Sequence, residues 1–319
     1  MPALVELVPN FSEGRDQKKI DAIIEAILAG PGVFLLDRHM DADHNRSVIT
    51  LAGERDSIGE AALRGIGRAT ELIDLCRHQG VHPRLGSTDV VPFVPIEGVS
   101  LEDCVHIAER VGEETWQRFR IPVYLYEAAA RRPERKNLEN IRRGQFERLS
   151  EVIAHDPSFR PDFGEPRLHP TAGATAVVAR KFLIAFNVNL GTSDVSLAES
   201  VARKIRASNG GLPAVKAIGV KLETRNLVQV STNLTDYETT SVETVLNAIE
   251  EEAAAAGVQL AGSEIVGLIP RRALPTNPVR RLRLENFHPD LILENRLAQA
   301  IAGSHPGSVP IPTARPKWP

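Results

Sequence analysis

Hydrophobic and polar positions along this chain change repeatedly between the two-residue period of strands and the longer period of helices. In the first half the predicted elements follow the order βαββαβ, and they are a strand at 3–8, a helix at 17–28, strands at 33–37 and 46–52, a helix at 56–73 and a strand at 90–94. The second half repeats this order with strands at 182–190, 214–222, 227–233 and 259–268, and helices at 195–207 and 242–256. The chain is therefore expected to contain two similar folding units.

Two tandem units of this order predict the fold class α+β, with two ferredoxin-like subdomains. We expect the N-terminal subdomain at residues 1–180, the C-terminal subdomain at 181–302 and a flexible, proline-rich tail at 303–319. A capping-box pattern that begins at Ser100 predicts a further helix in the first unit. The charged, proline-punctuated stretch 131–166 predicts short helices or loops that wrap the first unit.

The composition is that of an ordinary globular protein, with 42% hydrophobic and 25% charged residues. Lys and Arg number 38 and Asp and Glu 41, so the net charge of −3 creates no strong field for polyanions, and nucleic acid is not an expected partner. Cys76 and Cys104 fall in helical apolar patterns, where buried, inert thiols and a reducing compartment are expected. The chain shows no secretory signal and no apolar run of about 18 residues, which predicts a cytoplasmic protein without membrane contact.

The order βαββαβ also describes RNA-recognition modules, whose central strands carry aromatic side chains on which bases stack. The corresponding predicted strands here, 46–52 and 227–233, contain no aromatic residue. The sequence therefore argues against a protein that binds single-stranded nucleic acid.

The candidate chemistry lies in polar, glycine-containing loop segments, of which 78–89 is the strongest. His82 precedes Pro83 there and has glycines on both sides, so its imidazole is expected at a defined place on a kinked loop. An imidazole can accept and donate a proton at working pH, as the transfer of an acyl-type group between two amines requires. The structural alternative is a histidine that only ties the loop to itself. Arg84 offers a fork for a carboxylate and Asp89 could orient the imidazole, although both could equally form local ion pairs.

A second segment contains residue types that ligate metals, namely His39, Asp41, Asp43 and His44. This run matches no ligand spacing described for zinc or calcium sites. Nucleotide-binding loops and zinc-protease motifs are also missing from the sequence. We therefore expect no metal.

Motifs that run in order through nearly the whole chain resemble those of the formiminotransferase domain family, whose animal members are fused to a cyclodeaminase. The matching segments are VPNFSEG at 8–14, NRSV at 45–48, HPR at 82–84, DV at 89–90, PF at 92–93, PVYLY at 122–126, DFG at 162–164, GAT at 173–175, ARKFL at 179–183 and VSTNL at 230–234. No cyclodeaminase region follows these motifs, so a stand-alone form is expected.

The resemblance implies an enzyme that transfers one-carbon groups and uses tetrahydrofolate as a carrier substrate. It also implies a ligand cleft between the two ferredoxin-like subdomains, where folate binds, and a homodimer. It implies that His82 is the catalytic acid or base. It also implies that folate binds along Gly164, Glu165, Pro166, Arg167, Leu168, His169, Pro170, Thr171, Ala172 and Gly173. Residues 167–172 depart from the apolar, tryptophan-containing run of the animal enzymes, so backbone contacts to folate are expected more than side-chain contacts. His169 is a further candidate proton carrier.

The expected reaction moves a formimino group between 5-formimidoyltetrahydrofolate and L-glutamate, as in histidine degradation, with folate and a glutamate derivative as small-molecule partners. Two alternatives stay open: a glutamate formyltransferase that makes 5-formyltetrahydrofolate from N-formylglutamate, and a non-catalytic folate-binding protein. Carboxylates such as Asp41 or Asp43 would hold the cationic amidinium, and arginines would hold the glutamate carboxylates. The residues expected to form an additional part of the site are Asn10, Asp41, Asn45, Arg46, Arg84 and Asp89.

Overall fold

A computed structural model describes residues 3–303 of the chain. They divide into two compact units, one that runs through Arg180 and one from Lys181 to Ala302. Each unit combines one β-sheet with helices, which confirms the predicted α+β class. The second unit begins with the order βαββαβ, whereas the first has an additional short strand before its first helix and further helices and strands after this series. Of the predicted tail at 303–319, only Gly303 lies within the described residues, where it ends a helix.

The first unit contains a seven-stranded mixed sheet. Its strands are β1 (Leu4–Leu7), β2 (Asn10–Phe11), β3 (Val33–Asp41), β4 (Arg46–Glu54), β5 (Thr88–Glu97), β6 (Val123–Glu127) and β7 (Thr175–Ala179). Across the sheet, β3 pairs with β4, β4 with both β1 and β2, and these two with β5. The sheet continues through β7, which lies parallel to β5 and to β6.

Helices cover both faces of this sheet. They are α1 (Gln17–Leu28), α2 (Arg55–Leu72), α3 (Leu101–Phe119), α4 (Leu138–Arg142) and α5 (Gln145–Val152). The three long helices pack on one face around Leu7, Phe11 and Phe93. The short helices α4 and α5 form a second apolar cluster with Tyr124 and Tyr126 on the other face. The charged stretch 131–166 therefore supplies short helices over the first unit, as predicted.

Strand β3 extends four residues past the predicted end. A bulge in this strand decides on which face of the sheet its polar residues lie. The register with β4 shifts between Leu35 and Asp37, which reverses the alternation of side chains. Before the bulge Leu35 packs on the helical core, whereas after it Met40 does. Asp37 and Asp41 consequently lie on the face opposite the long helices, where Asp41 pairs with the first residue of β4.

The second unit contains a four-stranded antiparallel sheet in the order β11, β8, β10, β9. Its elements are β8 (Ile184–Leu190), α6 (Val195–Ile205), β9 (Val215–Leu222), β10 (Leu227–Leu234), α7 (Val242–Ala255), β11 (Leu260–Val266), α8 (Pro278–Arg281) and α9 (Leu293–Gly303). A short turn at Glu223–Arg225 joins β9 to β10, and Asn226 closes it in the left-handed conformation. Strands β9 and β10 therefore form an antiparallel hairpin.

Candidate functional site

The loop 78–87, which carries the predicted catalytic histidine, lies against the predicted folate segment 164–173. The backbone N–H of Ser87 donates to the carbonyl oxygen of Ala172 at 2.9 Å. Gly86 permits this close approach, because a Cβ at that position would lie 2.0 Å from the carbonyl oxygen of Ala174. The structure thus brings together two segments that are distant in the sequence.

Asp89, in β5, is fully buried and binds two arginines. Its Oδ2 accepts hydrogen bonds from Arg46 at 2.5 Å and from Arg142, and its Oδ1 accepts the backbone N–H of Leu85 at 2.8 Å. Burial acts to raise the pKa of Asp89, but the charges of Arg142 and Arg46 outweigh it and hold this pKa below its ordinary value. The ionised carboxylate therefore ties β4, α4 and the histidine loop together.

Arg46 contacts a second predicted site residue through its other terminal nitrogen. This nitrogen donates to Oδ1 of Asn10 at 2.8 Å, and the Asn10 side chain donates in turn to the carbonyl oxygen of Val8 at 2.7 Å. In their strands, Arg46 and Asn10 alternate with residues whose side chains face the helical core. Both side chains therefore lie on the sheet face opposite the long helices. The Arg46 guanidinium is consequently fixed in one orientation.

The turn after β3 is built by Asp41. Its Oδ1 accepts the backbone N–H groups of Asp43 at 2.9 Å and His44 at 2.7 Å, and its Oδ2 lies 3.0 Å from Nδ1 of His44. Although burial acts to raise the pKa of Asp41, the hydrogen bonds from His44 keep it below its ordinary value. The His44 ring is thereby held edge-on to His82, with ring centroids 6.0 Å apart.

Asn45 connects three chain segments around the same turn. It adopts the left-handed conformation with φ of 49°. Its side chain accepts the N–H of Gly14 at 2.9 Å and donates to the carbonyl oxygen of Gln79 at 3.0 Å. Its own carbonyl oxygen accepts from Nε2 of His78 at 2.9 Å. Asn45 thus has a structural role in positioning the loop.

His82 itself is half-buried. Its Nδ1 lies 2.6 Å from the carbonyl oxygen of Pro83, and because a carbonyl only accepts, Nδ1 carries the proton and Nε2 the basic lone pair. Burial is the main cause that lowers the pKa of His82 to about 4, and the charges of Arg46 and Arg142 lower it further against the opposing effect of Asp89. The imidazole is therefore neutral at physiological pH.

Arg84 does form an ion pair, but with a residue of α5. Its two terminal nitrogens donate to the two carboxylate oxygens of Glu147 at 2.7 and 2.9 Å. Gln145 accepts a further hydrogen bond at 3.0 Å, and Nδ1 of His78 accepts from Nε at 3.2 Å. The guanidinium fork expected to bind a substrate carboxylate is thus occupied by a carboxylate of the protein.

The folate segment begins with exposed residues and ends buried. Gly164 has φ of 109°, and a Cβ there would lie 2.8 Å from the Trp116 ring. Glu165 and Arg167 are exposed and 3.6 Å apart as an ion pair, whereas Leu168 packs on the second apolar cluster. The first half of the segment is therefore accessible to a ligand.

His169 has a local role in this segment. Its Nδ1 accepts the backbone N–H of Ala172 at 3.0 Å and that of Thr171 at 3.3 Å, and its backbone pairs with Gly173. Nδ1 therefore lacks a proton, and burial lowers the pKa of the ring. The imidazole closes a turn in the way that an asparagine side chain would.

Two residues of this site were not assigned to it from the sequence. Arg142 lies in a five-residue helix within the charged stretch 131–166, where no periodicity distinguishes one arginine from another. Its contact with Asp89 spans 53 positions, which only the tertiary structure shows. His44 was considered only as a metal ligand, although it directly precedes the motif that begins at Asn45.

The prediction for one cysteine was wrong. Cys76 lies in a short turn at Leu75–Arg77, is exposed, and its thiol donates to the carbonyl oxygen of Pro170 at 3.1 Å. Cys104 is buried in α3, as predicted, and burial raises the pKa of its thiol to about 12. The α-helix α2 ends at Leu72, so Cys76 lies beyond its buried face.

Among residues 3–303, no three His, Cys, Asp or Glu side chains are grouped so that they could hold a metal ion. The helices described for this chain include none with the length and apolar character that a bilayer crossing requires.

The fold and the site together define an α+β protein of two units, in which a loop histidine is kept neutral beside two arginines. Family models for the formiminotransferase domain match both units. The N-terminal subdomain model matches residues 4–180, and the model of the formiminotransferase domain that covers the second unit matches 185–279. The chain therefore belongs to the formiminotransferase domain family, as its motifs predicted.

Several similar proteins are transferases. Glutamate formimidoyltransferase of Streptococcus pyogenes serotype M1 is 46% identical over 93% of this chain and 99% of its own length. The protein of the same name from Thermoplasma acidophilum is 44% identical over 93% of this chain and 98% of its own length. Formimidoyltransferase-cyclodeaminase of Mus musculus is 44% identical over 86% of this chain, and the match spans 51% of the mouse protein. The likeness thus extends through both units.

Proposed function

We propose that this protein transfers a formimino group between 5-formimidoyltetrahydrofolate and L-glutamate, with tetrahydrofolate as the carrier substrate. Two relatives named for this transfer match nearly their whole lengths to this chain. The observation that carries the proposal is the neutral imidazole of His82. Because its protonated Nδ1 donates to Pro83, the basic Nε2 is the atom left to exchange a proton with a substrate.

His82 serves both proton transfers of the reaction in this proposal. When N5 of tetrahydrofolate attacks the amidinium carbon of N-formimidoyl-L-glutamate, a carbon–nitrogen bond forms and N5 loses a proton to Nε2. The bond from that carbon to the glutamate nitrogen then breaks, and this nitrogen takes the proton from the imidazolium. A pKa of about 4 keeps the resting ring unprotonated and makes the transient imidazolium a strong acid toward the leaving amine.

The surrounding charges support this role indirectly. The Asp89 carboxylate holds Arg46 and Arg142 beside the imidazole, and their positive charges oppose its protonation in the resting protein. The roles of Asp41 toward the amidinium and of Arg84 toward a substrate carboxylate stay predictions. Both side chains have protein partners that a substrate would have to displace.

The segment 164–173 remains the proposed folate-binding segment. Its backbone hydrogen bonds to the loop of His82 support this assignment, because they hold a partly exposed segment next to the proposed proton carrier. We further propose that the units, at 1–180 and 181–302, are ferredoxin-like. In support, the four strands of the second βαββαβ unit lie in the order fourth, first, third, second, and β5, β1, β4 and β3 repeat this order in the first unit.

A cytoplasmic homodimer completes the proposal. Size-exclusion chromatography with light scattering measures the mass of the assembled protein. A mass of about twice that of the 34.9 kDa chain is expected, and a monomer at micromolar concentration would contradict the dimer.

The activity is tested by incubating the purified chain with tetrahydrofolate and either N-formimidoyl-L-glutamate or N-formyl-L-glutamate, and identifying the folate derivative that forms. His82→Gln should lower kcat by about a hundredfold or more, the scale of general acid–base catalysis, with the Kd for tetrahydrofolate nearly unchanged. His106→Gln, an exposed histidine on α3, is the matched control and should retain full turnover.

Other outcomes would replace the proposal. Formation of the 5-formyl derivative alone would make the protein a formyltransferase. Tetrahydrofolate binding without product would make it a non-catalytic folate-binding protein. Unchanged turnover in His82→Gln would remove His82 from the mechanism.

A further inference from the structure

The second unit carries a strip of buried amide side chains on one face of its sheet. Gly219 of β9 identifies the face that packs on α6, because a Cβ there would lie 2.3 Å from a backbone atom of that helix. Gly219 pairs with Val230, so the adjacent Gln229 points to the opposite face. By the same alternation Asn187 and Asn189 of β8 lie on this opposite face, next to Gln229.

Two carboxylates determine the orientation of these amides. Glu285 accepts a hydrogen bond from Nδ2 of Asn189 at 3.2 Å. Glu264 accepts from Nδ2 of Asn187 at 3.1 Å and from Nε2 of Gln229 at 3.0 Å, and Nε2 of Gln229 donates also to Oδ1 of Asn189 at 2.9 Å. Because an ionised carboxylate only accepts, the amide atoms that face the carboxylates must be nitrogens. The remaining atoms, Oδ1 of Asn187 and Oε1 of Gln229, are therefore carbonyl oxygens.

These two oxygens are buried without a donor. Asn187 and Gln229 are each 1% exposed, and within residues 3–303 no group donates to either oxygen. Buried polar atoms in native proteins are normally hydrogen-bonded, so two adjacent exceptions of the same chemical kind indicate a site that a ligand completes. Ser231 and Glu264 border the strip and are only half-buried, which leaves the strip an edge toward solvent.

We infer that this strip, formed by Asn187, Gln229 and Glu264, is a binding subsite for a planar nitrogen group that presents two neighbouring N–H donors. The unpaired oxygens supply two acceptors, and the Glu264 carboxylate adds a further acceptor with negative charge. Amidinium groups and the 2-aminopyrimidinone edge of a pterin present donors in this way. A carbonyl oxygen in the same place would face other oxygens and be rejected.

This inference rests on the proposed function and deepens it, because both substrates of that reaction contain such a group. The formimidoyl group is an amidinium, and tetrahydrofolate carries the pterin edge. The strip assigns residues of the second unit to the recognition of one of these groups.

Asn187→Leu tests the inference with little change in side-chain volume. It removes Oδ1 and also the hydrogen bond from Nδ2 to Glu264, although Gln229 continues to donate to that carboxylate. The affinity for the recognised group should fall about tenfold, the effect of one lost hydrogen bond in a desolvated site. The Tm of the free protein should change little, because removing a buried unpaired oxygen offsets the loss of the Nδ2 hydrogen bond to Glu264. Gln229→Met, which removes the other oxygen, is a second variant in case the first does not fold.

Thr232→Val is the matched control in the same sheet. Thr232 lies on the opposite face of β10, where its hydroxyl donates to the carbonyl oxygen of Phe186. This control should lower the Tm and leave ligand affinity unchanged, which is the reverse of the pattern expected for Asn187→Leu. Calorimetry of tetrahydrofolate binding and the kcat/KM for N-formimidoyl-L-glutamate are measured for every variant.

The two measurements separate the two sources of the donor group. A tenfold loss of tetrahydrofolate affinity assigns the strip to the pterin. Unchanged tetrahydrofolate affinity with a tenfold loss of kcat/KM assigns it to the formimidoyl group, and N-formyl-L-glutamate should then be a poor substrate of the wild type. Wild-type protein that binds neither compound overturns the proposed function. Wild-type protein that binds both, with Asn187→Leu indistinguishable from it, overturns this inference alone.

Discussion

The charge of Arg142 acts on the proposed proton carrier, so replacing this arginine with glutamine should raise the pKa of His82. In the wild-type protein the negative charge of Asp89 faces the positive charges of Arg46 and Arg142, so the group carries one net positive charge. In Arg142→Gln this net charge becomes zero. The protonated form of His82 then meets less repulsion, and its pKa must move toward the ordinary value for histidine.

The size of the shift follows from Coulomb's law. At a separation of about 10 Å and an effective dielectric constant of about 20, one unit charge changes the interaction energy by about 1.7 kcal/mol. Since one pKa unit corresponds to about 1.4 kcal/mol, the pKa of His82 should rise from about 4 to about 5. Burial, which is the larger cause of the depressed value, is unchanged, so the pKa should stay below its ordinary value.

Proton NMR of the imidazole C2–H signal measures this pKa without any assumption about activity. His82→Gln identifies the signal, because that variant lacks it. Arg148→Gln is the charge control, since Arg148 lies in α5 over the Phe159 ring and is exposed. It should move the His82 titration far less. A His82 pKa that is unchanged or lower in Arg142→Gln would refute the electrostatic account of the site.

The same substitution should move the acid limb of the pH–rate profile. Transfer requires the neutral imidazole, so activity falls as the pH drops through the pKa of His82. The limb should therefore rise by about one pH unit in Arg142→Gln, in step with the NMR titration. An acid limb that does not follow the NMR pKa would mean that another group controls the protonation step.

Three further predictions concern stability and the folate segment. Burial raises the pKa of Glu6 to about 7 against the opposing charge of Arg180. Protonated Glu6 therefore makes its full contribution to the free energy of unfolding below about pH 4.5, and this contribution is lost as the pH rises through about 7. Calorimetry should accordingly show that Glu6→Gln raises the Tm at about pH 9 but not at about pH 4, and a constant difference would contradict this. Gly86→Ala should lower the free energy of unfolding in urea by about 3 kcal/mol or more, because the new Cβ would force the backbone of the two segments apart. A loss below about 1 kcal/mol would mean that the two segments are not in tight contact at Gly86. His169→Asn should preserve the turn and change kcat by less than about threefold, whereas a hundredfold loss would make His169 a proton carrier.

Local periodicity was sufficient for the elements that carry one buried face. The helix that begins after Ser100 was predicted from its capping box, and the box is present with both reciprocal hydrogen bonds. Helices such as α1 bury a regular stripe of isoleucines, so spacing alone identifies them. The repeated order of these elements was enough to predict two α+β units.

Elements without that asymmetry were missed. Strand β7 is buried at every residue between β5 and β6, and a strand with both faces covered shows no alternation. Strand β3 was predicted too short, because the bulge before Asp37 breaks the period and makes the polar residues that follow read as a loop.

The same distinction between local pattern and tertiary contact applies to the candidate site. The kinked histidine loop and the order of the motifs follow from residue types at short spacing, so His82 could be nominated from the chain itself. The partners that set its protonation could not, since Arg46, Asp89 and Arg142 come from distant segments and meet only when the sheet and its covering helix assemble. For the same reason Asn187 and Gln229 looked like ordinary polar strand residues. Their unpaired oxygens exist only because folding buries them together and directs their nitrogens to carboxylates.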